Sequence, residues 1–314
     1  MKPSLTRKPL AAVAAAALAA LALAACSPEE EGRETDSGGA DTADAYEELI
    51  NSGPVAEDGD VEASEWASAV KDAGVLKVGG TETSELFSLL DPTTGQARGF
   101  DAAISQLLSR YITGEVNAEL QQVTVDTRES LLESNTVDVT IATYSITEER
   151  AERVGFAGPY YSSQAAILVT EDNDDINGID DLAGKKVATQ ANSTGVTLLE
   201  EEAPEAEILG LPDHAQALSA VQQGNADAYV IDQTLLMNAV VAEDDVKIVG
   251  EPFGPEDLYG IGVNKESDGV DFINDFLQEI IDDGTWQEVW QLTIGDRTGL
   301  DEVPAPPTIG DLGL

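Results

Sequence analysis

The pattern of apolar and polar positions along the chain repeats once. A helical pattern, a polar turn and a strand-like apolar run follow one another over 128–141, and the same succession returns over 215–231. The offset of 89 residues places Thr143 opposite Asp232, each just after its apolar run. Repeated helix–turn–strand units favour an α/β fold built from two similar halves.

Each half opens on a short strand-like run, at 76–78 and at 185–187, which leads through a polar loop into a helical pattern. In α/β sheets of this kind, ligands bind outside the carboxyl ends of the strands. We therefore predict two α/β lobes with a ligand cleft between them. Its lining is expected from the polar residues that follow these strands, which are Thr81 to Ser84, Ala142 to Ser145, Gln190 to Gly195 and Asp232.

Residues 1–25 have the pattern of a secretory signal peptide. A basic start precedes 16 consecutive apolar residues, fewer than the roughly 20 needed to span a bilayer. The run ends at Cys26 in a Leu-Ala-Ala-Cys sequence that resembles a bacterial lipobox. We expect cleavage before Cys26 and attachment of a lipid to it, with palmitate among its acyl chains. The alternative is that Cys26 is an ordinary small residue of the apolar region.

The remaining chain divides into a folded body and two polar ends. Residues 26–61 are rich in Glu, Asp, Gly and Ser and predict a flexible acidic linker. Residues 295–314 carry three prolines and four glycines and predict an irregular C-terminal tail. Between them we predict lobe 1 over 62–166, lobe 2 over 167–257 and a return to lobe 1 over 258–294.

Charge excludes one class of partner. From Cys26 onward, 13 basic residues stand against all 60 acidic ones, a net charge of −47. A surface of this sign repels nucleic acid, so we expect no nucleic-acid partner. Because Cys26 is the only cysteine, the chain has no intramolecular disulfide.

Catalytic, metal and nucleotide signatures are all incomplete. The segment 191–195 approaches the G-x-S-x-G elbow, but Ala191 replaces its first glycine. A single histidine, His214, and a single cysteine cannot form a zinc ligand set. The calcium-like segment 173–184 ends in Gly184 where the loop requires a bidentate Glu. We therefore predict no catalytic site, no metal and no cofactor.

One arginine follows the polar strand end at 142–145. Thr147 has the pattern of a helix cap, and Arg150 stands where the capping Glu usually lies, so its side chain is free to turn elsewhere. A guanidinium binds a carboxylate through two parallel hydrogen bonds, and a helix start adds N–H donors. Arg150 is thus a candidate carboxylate ligand. The alternative is an ion pair with one of the 60 acidic residues.

The run from Ala142 to Tyr161 resembles the signature of bacterial extracellular solute-binding proteins of family 3, the amino-acid-binding proteins of ABC importers. The resemblance spans about Gly74 to Gly295 and implies a type II periplasmic-binding-protein-like fold that closes on its ligand by a hinge. Within the family the chain is most similar to glutamate-binding lipoproteins of Gram-positive cells. Further similar segments occur in family order at Gly99-Phe100-Asp101, 180–187, 193–194, 259–262 and 283–286.

The resemblance implies roles at the ligand's backbone groups. Arg150 matches the arginine that clamps the α-carboxylate. Thr143 and Ser145 match hydroxyl-bearing neighbours of this site. Ser193 and Thr194 match the second-lobe loop that also binds the carboxylate.

Three further positions carry implied roles and alternatives. Asp232 matches the acid that receives the α-ammonium group; the alternative is an N-cap of the following helix. Arg128 matches an arginine that, in relatives selective for acidic amino acids, helps to hold the side-chain carboxylate; the alternative is a place on the first surface turn of its helix. Asp101 resembles a family position, and we predict that it caps a helix.

The first-lobe loop departs from the family pattern. Thr81 stands where many relatives have a charged residue, and Ser84 where they have an aromatic one. Phe87 is the aromatic residue left in the loop and is either a ligand contact or a core residue. Glu82 and Glu85 either replace the missing charge or repel an acidic ligand.

The expected protein is a monomer, lipid-anchored on the extracellular face of the cell membrane. We expect it to bind glutamate or another polar or acidic amino acid and to partner the permease and ATPase subunits of an ABC importer. The alternative is a secreted enzyme on the same fold, similar to arogenate or prephenate dehydratases. That enzyme would need a general acid from Glu82, Glu85 or Asp232.

Overall fold

A computed structural model describes residues 38–300 and 302–314 of the chain. The predicted signal peptide, the lipobox and Cys26 lie outside the described residues. The remainder folds into two α/β lobes.

The first lobe is built from short helices and strands with clear end signals. Ser64 caps α3 by accepting a hydrogen bond from the Ala67 N–H, and Gly74 ends it in the left-handed conformation at φ 67°. The elements up to the first crossing are α1 (Gly38–Ser52), α2 (Asp58–Ala63), α3 (Glu65–Ala73), β1 (Leu76–Gly80), β2 (Thr83–Ser84), β3 (Ser88–Leu90), β4 (Ala97–Arg98), α4 (Phe100–Thr113), β5 (Ala118–Gln122), α5 (Arg128–Glu133), β6 (Val139–Thr140), α6 (Glu148–Arg153) and β7 (Val154–Thr170).

The second lobe repeats this succession, and the chain then returns to the first. Asp213 caps α8 by accepting a hydrogen bond from the Gln216 N–H. The elements are a 3-10 turn (Ile179–Leu182), β8 (Lys186–Gln190), α7 (Thr194–Glu202), β9 (Glu207–Leu211), α8 (His214–Gln222), β10 (Ala228–Asp232), α9 (Gln233–Ala242), β11 (Val246–Asn264), α10 (Gly269–Asp282), α11 (Thr285–Trp290), a π-helical turn (Gln291–Gly295) and α12 (Asp296–Thr298).

One hydrogen-bonded sheet of eight strands runs through both lobes in the order β5-β1-β6-β11-β7-β10-β8-β9. In the first lobe β1 lies parallel to β5 and β6, and in the second β8 lies parallel to β9 and β10. The long strands β7 and β11 are antiparallel to each other and belong to both lobes. A separate antiparallel sheet joins β2, β3 and β4. The predicted two-lobed α/β fold is confirmed.

The apolar cores divide at the two long strands. Tyr161 and Tyr259 pack in the core of the first lobe, whereas Ala165 and Phe253 pack in a core of the second. The chain therefore crosses between lobes at 161–165 on β7 and at 253–259 on β11. The boundaries predicted from the sequence, after 166 and after 257, fall within the same two strands.

Residues 38–61 do not form the flexible linker predicted over 26–61. Tyr46 and Ile50 on α1 pack in the first-lobe core with 6% and 2% of their surface exposed, and Val61 on α2 is buried with them. Tyr46 and Ile50 are four positions apart and so share one helix face. One apolar face suffices to dock a helix even when the mean composition of the segment is typical of disorder. The linker prediction is wrong for these residues.

The C-terminal segment is irregular after α12 but packs on the first lobe. Val303 and Ile309 contact the main core, and Leu312 contacts a smaller cluster around Tyr144. The Gly310 N–H donates to the Gly158 carbonyl at 2.8 Å. Among the described helices, none combines the length and apolar character needed to cross a membrane.

Candidate ligand-binding site

A narrow cavity of about 110 Å³ lies between the lobes, at the carboxyl ends of strands from both. Loops after β1, β5 and β6 form its first-lobe wall, and loops after β8, β9 and β10 form the opposite wall. Parallel strands direct their following loops to one edge, which explains this convergence. Of the residues predicted as ligand contacts, the cavity collects Thr81, Arg128, Thr143, Arg150, Ser193 and Asp232.

A larger and more open cavity of about 760 Å³ adjoins the narrow one. The two share Arg150, Ser193 and Asp232, so they are neighbouring parts of one cleft. Thr194 lines only the larger part. We take the narrow part as the candidate ligand site because the strand ends of both lobes meet there. Within residues 38–300 and 302–314, no group of three His, Cys, Asp or Glu side chains is arranged to hold a metal ion.

Arg150 turns its side chain away from its own helix. Thr147 caps α6 by accepting a hydrogen bond from the Arg150 N–H at 3.3 Å. The guanidinium donates to the Ser145 carbonyl at 2.8 Å and, across the cleft, to the Asn192 carbonyl at 3.4 Å. In the described part of the chain no acidic side chain lies within 4.0 Å of it. The alternative of an ion pair with a surface acid is therefore not realised.

Arg128 is buried at the wall of the same cavity, with 4% of its surface exposed. Its guanidinium carbon lies 3.8 Å from the ring centroid of Tyr144, and that of Arg150 lies 5.6 Å from the same centroid. Its Nε is 3.6 Å from Glu129 Oε1, an ion pair without a hydrogen bond. Burial, and next the repulsion of Arg150, lower the pKa of Arg128 to about 10. The alternative of an exposed surface turn is wrong.

Asp232 lies at the end of β10 with 6% of its surface exposed. It occupies the N-cap position of α9, as the alternative predicted, but its carboxyl makes no capping hydrogen bond. Burial raises the pKa of Asp232 far above its usual range, and the neighbouring Asp257 carboxyl adds to this shift.

Thr143 has a left-handed backbone with φ 43°, a costly conformation for a β-branched residue. The Asp101 carboxylate maintains it by accepting hydrogen bonds from the Thr143 N–H and the Tyr160 hydroxyl, both at 2.8 Å. Burial raises the pKa of Asp101 to about 7. The prediction that Asp101 caps a helix is wrong, because its carboxylate accepts a hydrogen bond from the distant loop at Thr143 and none from the start of α4.

Several predicted residues lie outside the cavities. Ser145 is buried, and its side chain lines neither cavity. Phe87 is fully buried and packs edge-on against Tyr161 with ring centroids 5.4 Å apart, so its prediction as a ligand contact is wrong. Glu82 and Glu85 also line neither cavity, and Glu85 pairs with Arg297 at 3.0 Å.

Two contacts between the lobes were missed by the sequence analysis. Asn192 Nδ2 donates to Asp126 Oδ1 at 2.6 Å, and Asn238 Oδ1 accepts from the Leu86 N–H at 2.6 Å. The two residues of each hydrogen bond are 66 and 152 positions apart along the chain, so no local sequence pattern predicts these contacts. Together with the contact from Arg150 to Asn192, they hold the lobes close around the narrow cavity.

Comparison with known proteins places this site in context. The family model described as bacterial extracellular solute-binding proteins, family 3, matches residues 76–292. The ABC transporter glutamine-binding protein GlnH of Bacillus subtilis is 32% identical over 227 residues, covering 71% of this chain and 82% of that protein. The glutamate-binding protein GluB of Corynebacterium glutamicum is 34% identical over 195 residues, covering 60% and 65%. A crystal structure of an ancestral amino acid-binding protein, a precursor of cyclohexadienyl dehydratase, matches with a TM-score of 0.65 at 28% identity, covering 72% of this chain and 98% of that one.

Proposed function

Because the chain belongs to the bacterial extracellular solute-binding proteins of family 3, we propose that its cleft binds an acidic amino acid, with glutamate as the preferred ligand. The family supplies the substrate-binding component of ABC importers, so the protein acts outside the cytoplasm and partners permease and ATPase subunits. The geometry of the cleft supports the choice of an acidic ligand, whereas family membership supports the role in import.

The observation that carries the proposal is the presence of two guanidinium groups on one small cavity. Arg128 and Arg150 both line it, and each lies near the face of the Tyr144 ring. Burial, and next the charge of Arg150, lower the pKa of Arg128, so keeping both guanidinium groups charged in this site is unfavourable without a ligand. A ligand with two carboxylates offsets both charges, whereas a ligand with one leaves Arg128 with only the 3.6 Å contact to Glu129.

We assign the ligand's groups to the cleft as follows. The α-carboxylate contacts Arg150 and the hydroxyl groups at Thr143 and Ser193, which lie on opposite walls. The α-ammonium group contacts the Asp232 carboxyl. The side-chain carboxylate contacts Arg128. Closure of the lobes stabilises this arrangement because each wall contributes different contacts to one ligand.

A calorimetric screen of the 20 amino acids against ligand-stripped protein tests the proposal. We expect glutamate to bind most tightly, followed by aspartate, with glutamine weaker and arginine weakest because a cationic side chain would meet Arg128. The screen should use one fixed, high salt concentration, since the net charge of −47 after Cys26 otherwise repels acidic ligands. Tighter binding of glutamine or arginine than of glutamate would contradict the assignment.

We further propose that the protein is not an enzyme. The dehydratase alternative requires a general acid in the cleft, but Glu82 and Glu85 line neither cavity. Asp232 is the remaining acid of those considered, and it is assigned to the ligand's ammonium group. Incubation with arogenate and with prephenate should yield no product, and product formation would overturn the transport assignment.

We also propose that the protein is a monomer held on the extracellular face of the membrane by a lipid on Cys26. The support is the Leu-Ala-Ala-Cys sequence at the end of the 16-residue apolar run. Mass spectrometry of the mature N-terminus should find more than one acyl chain, because a single chain anchors a protein only weakly. Sedimentation of the protein without its lipid should give the mass of one chain.

A further inference from the structure

Two carboxyl groups face each other where the narrow and wide parts of the cleft join. Asp232 on β10 is paired in register with Ala165 of β7, and Asp257 on β11 is paired with Ser163 of the same strand. Ala165 and Ser163 are two positions apart, so their partners project from the same face of the sheet. Both carboxyls line the wider cavity, one on each side of β7.

No cation neutralises this pair within the described residues. Neither carboxyl has a Lys or Arg nitrogen within 4.0 Å there. Asp257 accepts a hydrogen bond from the Thr194 hydroxyl at 2.9 Å, and the Asp232 carboxyl makes no capping hydrogen bond to α9. Two adjacent carboxylates, one of them almost fully buried, are unfavourable unless one of them is protonated.

The titratable groups around Asp232 support this description. Burial and then repulsion from Asp257 raise the pKa of Asp232, while a hydrogen bond from Tyr259 and the charge of Arg150 act more weakly against them. Asp213 and His214 at the start of α8 line the narrow cavity with Asp232, and the Tyr229 hydroxyl on β10 lies 3.2 Å from His214 Nδ1. Burial lowers the pKa of His214 to about 4, so its ring is neutral near neutral pH.

We infer that Asp232, facing Asp257, holds a proton when the cleft is empty and releases it to solvent when the ligand's ammonium group binds between the two side chains. The inference rests on the proposed function, since it needs an α-ammonium group at Asp232. Asp257 thereby becomes a second acidic residue of the ammonium site. The charges balance: one proton leaves Asp232 as one ammonium group arrives, and the Asp232 carboxylate is then ionised against it.

The coupling between ligand binding and proton release fixes the direction in which affinity changes with pH. Because binding releases a proton, affinity for the amino acid rises with pH over the range in which the empty pair is protonated. Release of a full proton corresponds to about a tenfold gain in affinity per pH unit. The ligand's own ammonium group and carboxylates keep their charges between pH 5.5 and 8, so they add no slope.

Isothermal titration calorimetry of the full-length mature protein with glutamate tests the inference. At each of several pH values from 5.5 to 8, titrations in two buffers of different ionisation enthalpy give the number of protons released per ligand. We expect release to approach one proton at the acidic end and to fall as pH rises. Asp257→Asn keeps an acceptor for Thr194 but removes the repulsion, so release should be smaller and its midpoint should move to lower pH.

Glu256→Gln is the matched control. It removes the same charge one position away on β11, from an exposed side chain that lines the wider cavity, and should leave the release curve unchanged. Glutamate binding without proton release at any pH in the wild-type protein would overturn the inference. So would identical release curves for the wild type and Asp257→Asn. Absence of binding by every amino acid would instead overturn the proposed function, so the two failures are distinguishable.

Discussion

Arg128→Met tests whether the buried guanidinium binds the ligand's side-chain carboxylate and so determines selectivity. Arg128 has 4% of its surface exposed and a place on the narrow cavity, so a hydrogen bond from it to a carboxylate is shielded from water. Hydrogen bonds to charged groups contribute roughly 1.5 to 3 kcal/mol. We therefore expect glutamate to bind about 10- to 150-fold more weakly in the variant. Glutamine, which has no second carboxylate, should lose much less.

The same substitution should leave the fold intact. The drop of the Arg128 pKa from 12.5 to about 10 corresponds to a cost of roughly 3 kcal/mol for keeping the buried cation charged. Loss of stacking on Tyr144 costs about 0.5 to 2 kcal/mol and works in the opposite direction. Met is also long and apolar, and fills much of the same space. Denaturant unfolding of ligand-free protein should thus give a free energy within about 1 kcal/mol of the wild type, or above it.

The assay is the ratio of glutamate to glutamine affinity, measured by calorimetry at one high salt concentration. Arg153→Met is the control, because it changes the net charge equally. Arg153 lines only the wider cavity, and its side chain is 47% exposed and paired with Glu133 at 2.9 Å. The ratio should fall in Arg128→Met alone. An unchanged ratio there, or an equal fall in Arg153→Met, would refute the role of Arg128 in selectivity.

Three further outcomes are expected. Arg150→Ala should abolish binding of every amino acid in the calorimetric screen while the protein still unfolds cooperatively, because truncating one partner of a buried charged contact costs about 2 to 5 kcal/mol; near-wild-type affinity would contradict its role. Asp101→Asn should flatten the pH dependence of the ligand-free unfolding free energy. Asp101 has its pKa raised from 3.8 to about 7, so the wild type loses stability as pH rises through this window, by on the order of 4 kcal/mol. Parallel curves for the two proteins would refute this. Cys26→Ser should release the protein into the medium or leave an unprocessed precursor, and an unmodified thiol on the mature wild-type protein would exclude lipidation.

Local signals predicted much of the cleft from the sequence. The polar residues that follow strand-like runs, at 81, 143, 193 and 232, do meet at one cavity. The local pattern shows where each strand ends, and parallel strands end at the same edge of a sheet. The helix cap at Thr147 could also be predicted, since it depends on two residues only three positions apart. Arg150 was a candidate from the local pattern, whereas Arg128 was considered only because of the resemblance, which did not predict that its side chain is buried.

The features that the sequence did not predict are of two kinds. Some depend on contacts between residues far apart along the chain, and others on a few apolar residues in a segment whose mean composition is polar. Helix α1 was hidden by its acidic composition, although Tyr46 and Ile50 bury its apolar face, with Leu49 packed beside them. Phe87 was either a ligand contact or a core residue as the aromatic residue left in its loop, and the structure packs it against the core rings of Phe100 and Tyr161. The carboxyl pair of Asp232 and Asp257 arises only when β10 and β11 flank β7, a register that no local pattern contains.

The docking of α1 on the first lobe would limit how far the protein can move from a membrane if Cys26 carries the proposed lipid. Since α1 begins at Gly38, a lipid on Cys26 would be joined to the folded body by a segment whose fully extended reach is only about 40 Å. With that anchor the first lobe would stay within this distance of the bilayer, and the second lobe would be tethered only through β7 and β11.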